Sequence, residues 1–106
     1  MKNLLKNVSF VILVLKMCVI FGQETSAQKR IIFDVGHGGK DAGAIGINGI
    51  QEKDVVLSIA DAILRFNNDL EKPLDIYLTR YKDTLISLSD RTKLTKALNA
   101  DLFVSL

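Results

Sequence analysis

The sequence contains one cysteine, one histidine and no tryptophan. A single cysteine excludes a disulfide framework. A single histidine excludes any metal site drawing two imidazoles from these residues, so the common catalytic zinc sets are not complete within them. Excess charge of either sign is also lacking, with 14 Lys+Arg against 12 Asp+Glu and a formal net charge of +2. That balance supplies no basic stripe, and nucleic acid is set aside as a partner. At 106 residues there is room for one small domain.

Long apolar runs are scarce, and the one present lies at the start. Lys2 and Lys6 precede the almost wholly apolar Val8 to Leu15, and small residues follow at Gly22 and at Ser26-Ala27. This is the layout of a secretory signal peptide over residues 1–27, with cleavage expected after Gly22 or Ala27. Lys16 interrupts the run well short of the ~20 apolar residues a span needs, so no retained membrane span is expected. A lipoprotein site at Cys18 is rejected, because Met17 stands where a small residue is needed and Lys16 is foreign to such a site. The expected destination is outside the cytoplasm, in the periplasm or cell envelope. Residues 28–106 then form the mature part, 79 of the 106, with 11 basic and 11 acidic residues once Lys2, Lys6, Lys16 and Glu24 are removed. A cysteine-free exported domain of that size must be stabilised by burial or by a metal.

Arg30 to Val35 is β-branched and aromatic and reads as a strand. Gly36 to Gln51 holds six of the seven glycines and reads as a long loop, functional or disordered. From Lys53 to about Asn68, apolar residues at Val55, Val56, Ile59, Ala62, Ile63 and Phe66 mark an amphipathic helix, ended by Asn67-Asn68 and Pro73. Leu74 to Thr79 alternates as a half-buried strand, and Arg80 to Leu88 is a polar connection. Ser89 or Ser87 caps a second helix to about Asn99, with Leu94, Ala97 and Leu98 facing inward. Leu102-Phe103-Val104 opens a continuous apolar run, read as a strand buried on both faces. The alternation predicts an α/β fold, a mostly parallel sheet flanked by helices. Because Leu106 falls within that last apolar strand, residues 28–106 are expected to be the front part of a longer, truncated single domain.

The strand–glycine loop–helix order suggests phosphate binding, but the details oppose it. After Gly36 and Gly38, the third dinucleotide glycine is replaced by Asp41. Gly39-Lys40 lacks a following Ser or Thr, and position 34 is Asp rather than Gly. No Gly-x-Ser-x-Gly is present for a serine nucleophile. Metal chemistry remains. His37 lies just past a strand's C-terminal end, where α/β folds place ligands, and Glu52 lies where the loop enters a helix, near the positive end of its dipole. Together they would make two of the three protein ligands of a hydrolytic zinc site. Spacing alone is a weak signal and favours instead a solvated loop histidine and a helix-start glutamate satisfying backbone amides.

FDVGHGGKDAGAIGINGIQEKDVVL, from Phe33 to Leu57, resembles the opening motif of the zinc-dependent N-acetylmuramoyl-L-alanine amidases. The likeness continues through YLTRYKDTLISLSDRTKLTKALNADLFVSL, from Tyr77 to Leu106. The resemblance implies the N-terminal part of an amidase catalytic domain, cutting the amide between N-acetylmuramic acid and L-alanine in peptidoglycan. It implies Zn2+ as cofactor, with His37 and Glu52 as ligands, and it allows an activator protein as partner. By the same resemblance, Asp34 either orients the histidine or caps the turn, Asp41 shapes the loop, Lys40 is solvated and Arg91 makes a structural ion pair. The family's third ligand, a histidine, falls directly after Leu106, and its catalytic glutamate falls further on. The 106 residues alone are therefore expected to be inactive. Two other readings stand beside this one. The first is a non-catalytic envelope protein that binds peptidoglycan on the same fold, and the second is a phosphate-binding α/β domain using the amides around Gly38.

Overall fold

A computed structural model describes residues 1–21 and 28–106, with backbone alone for 18–21. The expected cleavage points after Gly22 and Ala27 border or fall within residues 22–27, outside the described residues. Helix α1 spans Lys2–Phe21, and its described side chains are exposed. No helix among the described residues is long and apolar enough to cross a membrane.

The remaining elements alternate as the sequence predicts: β1 (Arg30–Asp34), α2 (Glu52–Asn68), β2 (Asp75–Leu78), α3 (Leu88–Ala97) and β3 (Leu102–Ser105). The three strands form one parallel sheet in the order β2-β1-β3. Ile31 registers with Ile76 on one side and Leu102 on the other, and Phe33 with Leu78 and Val104. The first strand is thus the central one. Side chains alternate across it. Val35 joins Leu78 and the α2 residues Val56 and Ala60 in the core, with Phe33, Leu57 and Leu64 packed around them. Asp34 points to the opposite face and pairs with Arg91 of α3. The sheet is therefore flanked by helices on both sides.

Element ends follow local chemistry. Ser87, of the two serines considered, is the N-cap of α3, and its Oγ accepts the Asp90 N–H at 3.1 Å. At the end of α2, buried Asn67 closes the connection to β2. Its Nδ2 donates to Leu74 O at 2.9 Å, and its Oδ1 accepts the Leu74 N–H at 2.8 Å.

Three expectations are corrected. The apolar run in β3 predicts burial on both faces, yet Leu102 and Phe103 are 52% and 43% exposed. This strand pairs on one side only, at the outer edge of the three-stranded sheet. A run of apolar residues records that a strand can be covered, not that the residues at hand cover it. In α2, Val56 packs in the core as expected, but Val55, Ile59 and Phe66 are exposed, and Ala60, Leu57 and Leu64 complete the contact. Ala97 of α3 is likewise exposed rather than inward.

Candidate metal centre

The connection from Gly36 to Gln51 has neither helix nor strand, but it is firmly folded. Gly38 and Asp41 exchange backbone hydrogen bonds at 2.9 and 3.0 Å, Gly46 N–H reaches Ile50 O at 2.7 Å, and Gly49 N–H reaches Gly46 O at 3.0 Å. The loop then caps the helix that follows it. Gln51, the N-cap of α2, makes no side-chain cap bond. Instead the Glu52 and Lys53 N–H groups donate to Ala44 O and Ala42 O, at 2.8 and 3.1 Å. Two amides that every helix start leaves unpaired are satisfied this way, and Glu52 is fixed against the loop.

His37 lies three residues beyond β1 and adopts φ 60°, a left-handed conformation uncommon for a side-chain-bearing residue. That turn and the placement of Glu52 bring His37 Nε2 to 3.2 Å from Glu52 Oε2. On the other side of the ring, Nδ1 lies 3.0 Å from Asp41 Oδ2. Asp41 is itself held by the Gly43 N–H on Oδ1 at 3.1 Å, and Glu52 Oε2 also accepts the Ala44 N–H at 2.8 Å. Gly43 closes the cradle. At φ 67° its missing Cβ would come within 2.7 Å of both Glu52 Oε2 and His37 Cδ2.

The electrostatics follow from these contacts. The hydrogen bond that His37 makes to Asp41 and the charge of Glu52 raise the His37 pKa above its ordinary value. The Asp41 pKa is lowered by the His37 bond and the Gly43 amide, and the Glu52 pKa mainly by the Ala44 amide. Both carboxyls are therefore ionised at neutral pH. An acceptor on Nδ1 leaves Nε2 as the ring atom available to a cation, and the gap facing Glu52 can be bridged by a proton or by a metal.

Two buried arginines hold the loop from beneath. Arg91 Nη1 pairs with Asp34 and donates to Val35 O at 2.7 Å, its Nη2 donates to His37 O at 3.1 Å, and its Nε donates to Ile86 O at 3.0 Å. Arg80 is only 2% exposed and sends all its hydrogen bonds to backbone carbonyls. Burial, and then the charge of Arg91, lower its pKa. Thr79 completes the base. Its Oγ1 donates to Asp34 Oδ1 and accepts the Val35 N–H, each at 2.9 Å. Lys53 Nζ reaches Gly39 O at 2.8 Å and both oxygens of Asp83.

The structure thus brings His37 and Glu52 together and gives the histidine its partner in Asp41. Asp34 contacts Arg91 and Thr79 rather than the imidazole, and Arg91 makes the expected ion pair. Arg80 and Thr79 are additions. A buried arginine in a polar connection carries no sequence signal of burial, since arginine ordinarily stays exposed. No group of three or more His, Cys, Asp or Glu side chains suited to a metal occurs among the described residues. His37 and Asp41 line a cleft of about 660 Å³ together with Leu85, Ile86, Leu88 and Leu106.

A family model described as N-acetylmuramoyl-L-alanine amidase matches residues 31–106. The chain is 46% identical over 87 residues to the N-acetylmuramoyl-L-alanine amidase AmiA of Salmonella typhimurium, covering 79% of this chain and 28% of that protein. It is 40% identical over 77 residues to a sporulation-specific N-acetylmuramoyl-L-alanine amidase of Bacillus subtilis, covering 73% and 30%. Among solved structures it resembles AmiC2 of Nostoc punctiforme, with a TM-score of 0.65, 36% identity, and coverage of 76% of this chain and 43% of that one. It also resembles the catalytic domain of CwlV from Bacillus (Paenibacillus) polymyxa, with a TM-score of 0.60, 41% identity, and coverage of 73% and 43%. The sequence spans less than a third of the length of these curated relatives. With the fold and the matched span in agreement, the chain belongs to the N-acetylmuramoyl-L-alanine amidase family.

Proposed function

We propose that the protein is a zinc-dependent peptidoglycan hydrolase that cleaves the amide between N-acetylmuramic acid and L-alanine, with His37 and Glu52 as two of its zinc ligands. One observation carries the reading. Two donors on a single tetrahedral zinc, each about 2.0–2.2 Å away, stand about 3.3–3.6 Å apart, and Nε2 and Oε2, at 3.2 Å, need only a slight separation to span one ion. The donor set suits zinc as well, one imidazole nitrogen and one ionised carboxylate. Gly43 keeps the approach free of a methyl group.

Bound zinc supplies Lewis-acid polarisation of a carbonyl and activation of water. The chain's own residues prepare for it. Asp41 fixes the imidazole with Nδ1 occupied and Nε2 forward. The Ala44 amide holds Glu52 ionised and in place, and the cleft beside them admits an extended substrate. Of the other carboxylates on the β1 side, Asp34 is committed to Arg91 and Asp41 to His37. The general base is therefore proposed, on the family resemblance, to be a glutamate that follows Leu106, and the third ligand a histidine in the same stretch. Residues 1–27 are proposed to be a signal peptide that directs residues 28–106 to the cell envelope. N-terminal sequencing of the exported protein should begin at Gln23 or Gln28, and an intact Met1 would overturn the assignment.

The activity is tested with the intact protein on isolated peptidoglycan. The expected product is a new L-alanine amino terminus, lost on zinc chelation and in His37→Ala. Binding of the sacculi without any new amino terminus, unchanged in His37→Ala, would instead favour a non-catalytic peptidoglycan-binding role.

A further inference from the structure

The two residues that face one another across the 3.2 Å gap come from separate segments, one leaving β1 and one entering α2. Besides the Lys53 Nζ bond to Gly39 O and the loop carbonyls that cap α2, one guanidinium nitrogen joins the backbones directly beside the two residues. Arg80 Nη2 donates to Gly36 O at 2.8 Å and to Lys53 O at 2.9 Å. Gly36 immediately precedes His37, and Lys53 immediately follows Glu52. The other nitrogens of the same guanidinium anchor it, with Nε on Val35 O at 3.1 Å and Nη1 on Lys82 O at 3.0 Å. Arg80 has no carboxylate within salt-bridge reach among the described residues.

A planar guanidinium fixes the angle between its donors, so two carbonyls bound to one Nη2 are held at a set separation. An ammonium, a rotatable point charge, imposes no such geometry. Arg91 differs in this respect. It grips Asp34, Val35 and His37 on the β1 side and Ile86 beyond, with no bond to the Glu52 segment.

We propose that Arg80 is a positioning residue of the metal centre: by stapling the backbone beside His37 to the backbone beside Glu52, it sets the gap between the two ligands. The proposal rests on the reading that His37 and Glu52 hold zinc. A residue in this role tunes metal affinity as well as stability, because any widening of the gap is corrected at the expense of binding energy. A residue that merely fills space changes stability alone.

The test is zinc affinity of the intact protein, measured by competition with a chromophoric chelator, alongside thermal unfolding of the zinc-free form. Arg80→Lys and Arg80→Gln should each weaken zinc binding about tenfold or more, with lysine giving no rescue although it keeps the charge. Ser87→Ala, which removes the α3 cap and touches neither ligand segment, should lower Tm and leave zinc affinity unchanged. Arg80 variants that lose Tm like Ser87→Ala and bind zinc as the parent does would overturn the proposal. If wild-type protein and His37→Ala bind zinc alike, the ligand reading itself fails; loss in His37→Ala with none in the Arg80 variants sinks the staple alone. Should both Arg80 variants fail to fold, the unmodified protein still decides the matter. By reciprocity, zinc should slow hydrogen exchange of the Arg80 guanidinium protons about tenfold, and equal rates with and without zinc would overturn the proposal.

Discussion

At Gly43 a single methyl group has consequences out of proportion to its size. Its carbon would meet Glu52 Oε2 and His37 Cδ2 at 2.7 Å, in a backbone conformation with φ 67°. Gly43→Ala should therefore lower stability by about 1–2 kcal/mol from the left-handed backbone, and also cut zinc affinity, read by chelator competition. Asp41→Asn tests the other side of the imidazole. Its weaker acceptor should let the His37 pKa fall toward the ordinary value in a zinc-free NMR titration, and zinc affinity should drop about 10–100-fold. His37 and Glu52 were legible because a lone histidine after a strand and a carboxylate at a helix mouth match a family motif. In the sequence Asp41 reads only as a loop-shaping residue, because its contact depends on His37 adopting φ 60°. Nothing in residue order announces that conformation at a non-glycine position.

At the scale of elements, every strand and helix after Gln28 was legible from periodicity and punctuation, and boundaries shifted by only a residue or two. What failed was part of the face that α2, α3 and β3 turn to the core. Of the α2 residues at helical spacing, Val56 packs as expected while Val55, Ile59 and Phe66 are exposed, and Ala60 joins the core. When a helix carries apolar residues on more than one face, periodicity cannot choose between them. Two polar devices also escaped notice, Asn67 clasping Leu74 and the loop carbonyls capping α2, since each pairs residues remote from any cap pattern. Ser87 is simpler. Replacing it with alanine removes the acceptor of the Asp90 N–H and should cost about 1 kcal/mol in chemical denaturation. Zinc affinity should stay unchanged, because that cap lies outside the ligand cradle.

Across the whole molecule, charge ties the loop to the rest of the fold. Asp83 accepts from Lys53 Nζ at 2.8 Å and from the Gly39 N–H at 2.7 Å, and these contacts, Lys53 first, lower its pKa. A carboxyl depressed in the folded state stabilises above its unfolded pKa and loses that contribution as pH falls through the folded one. The zinc-free protein should accordingly lose Tm on acidification below the ordinary carboxylate range. Asp83→Asn should flatten that decline while lowering Tm at neutral pH, and identical Tm–pH curves for the two proteins would contradict it. The placement of the first strand has a different kind of consequence. Because β1 sits between β2 and β3, and the arginines that grip the turn after it lie at 80 and 91, a growing polypeptide emits the turn that carries His37 well before the residues that brace it.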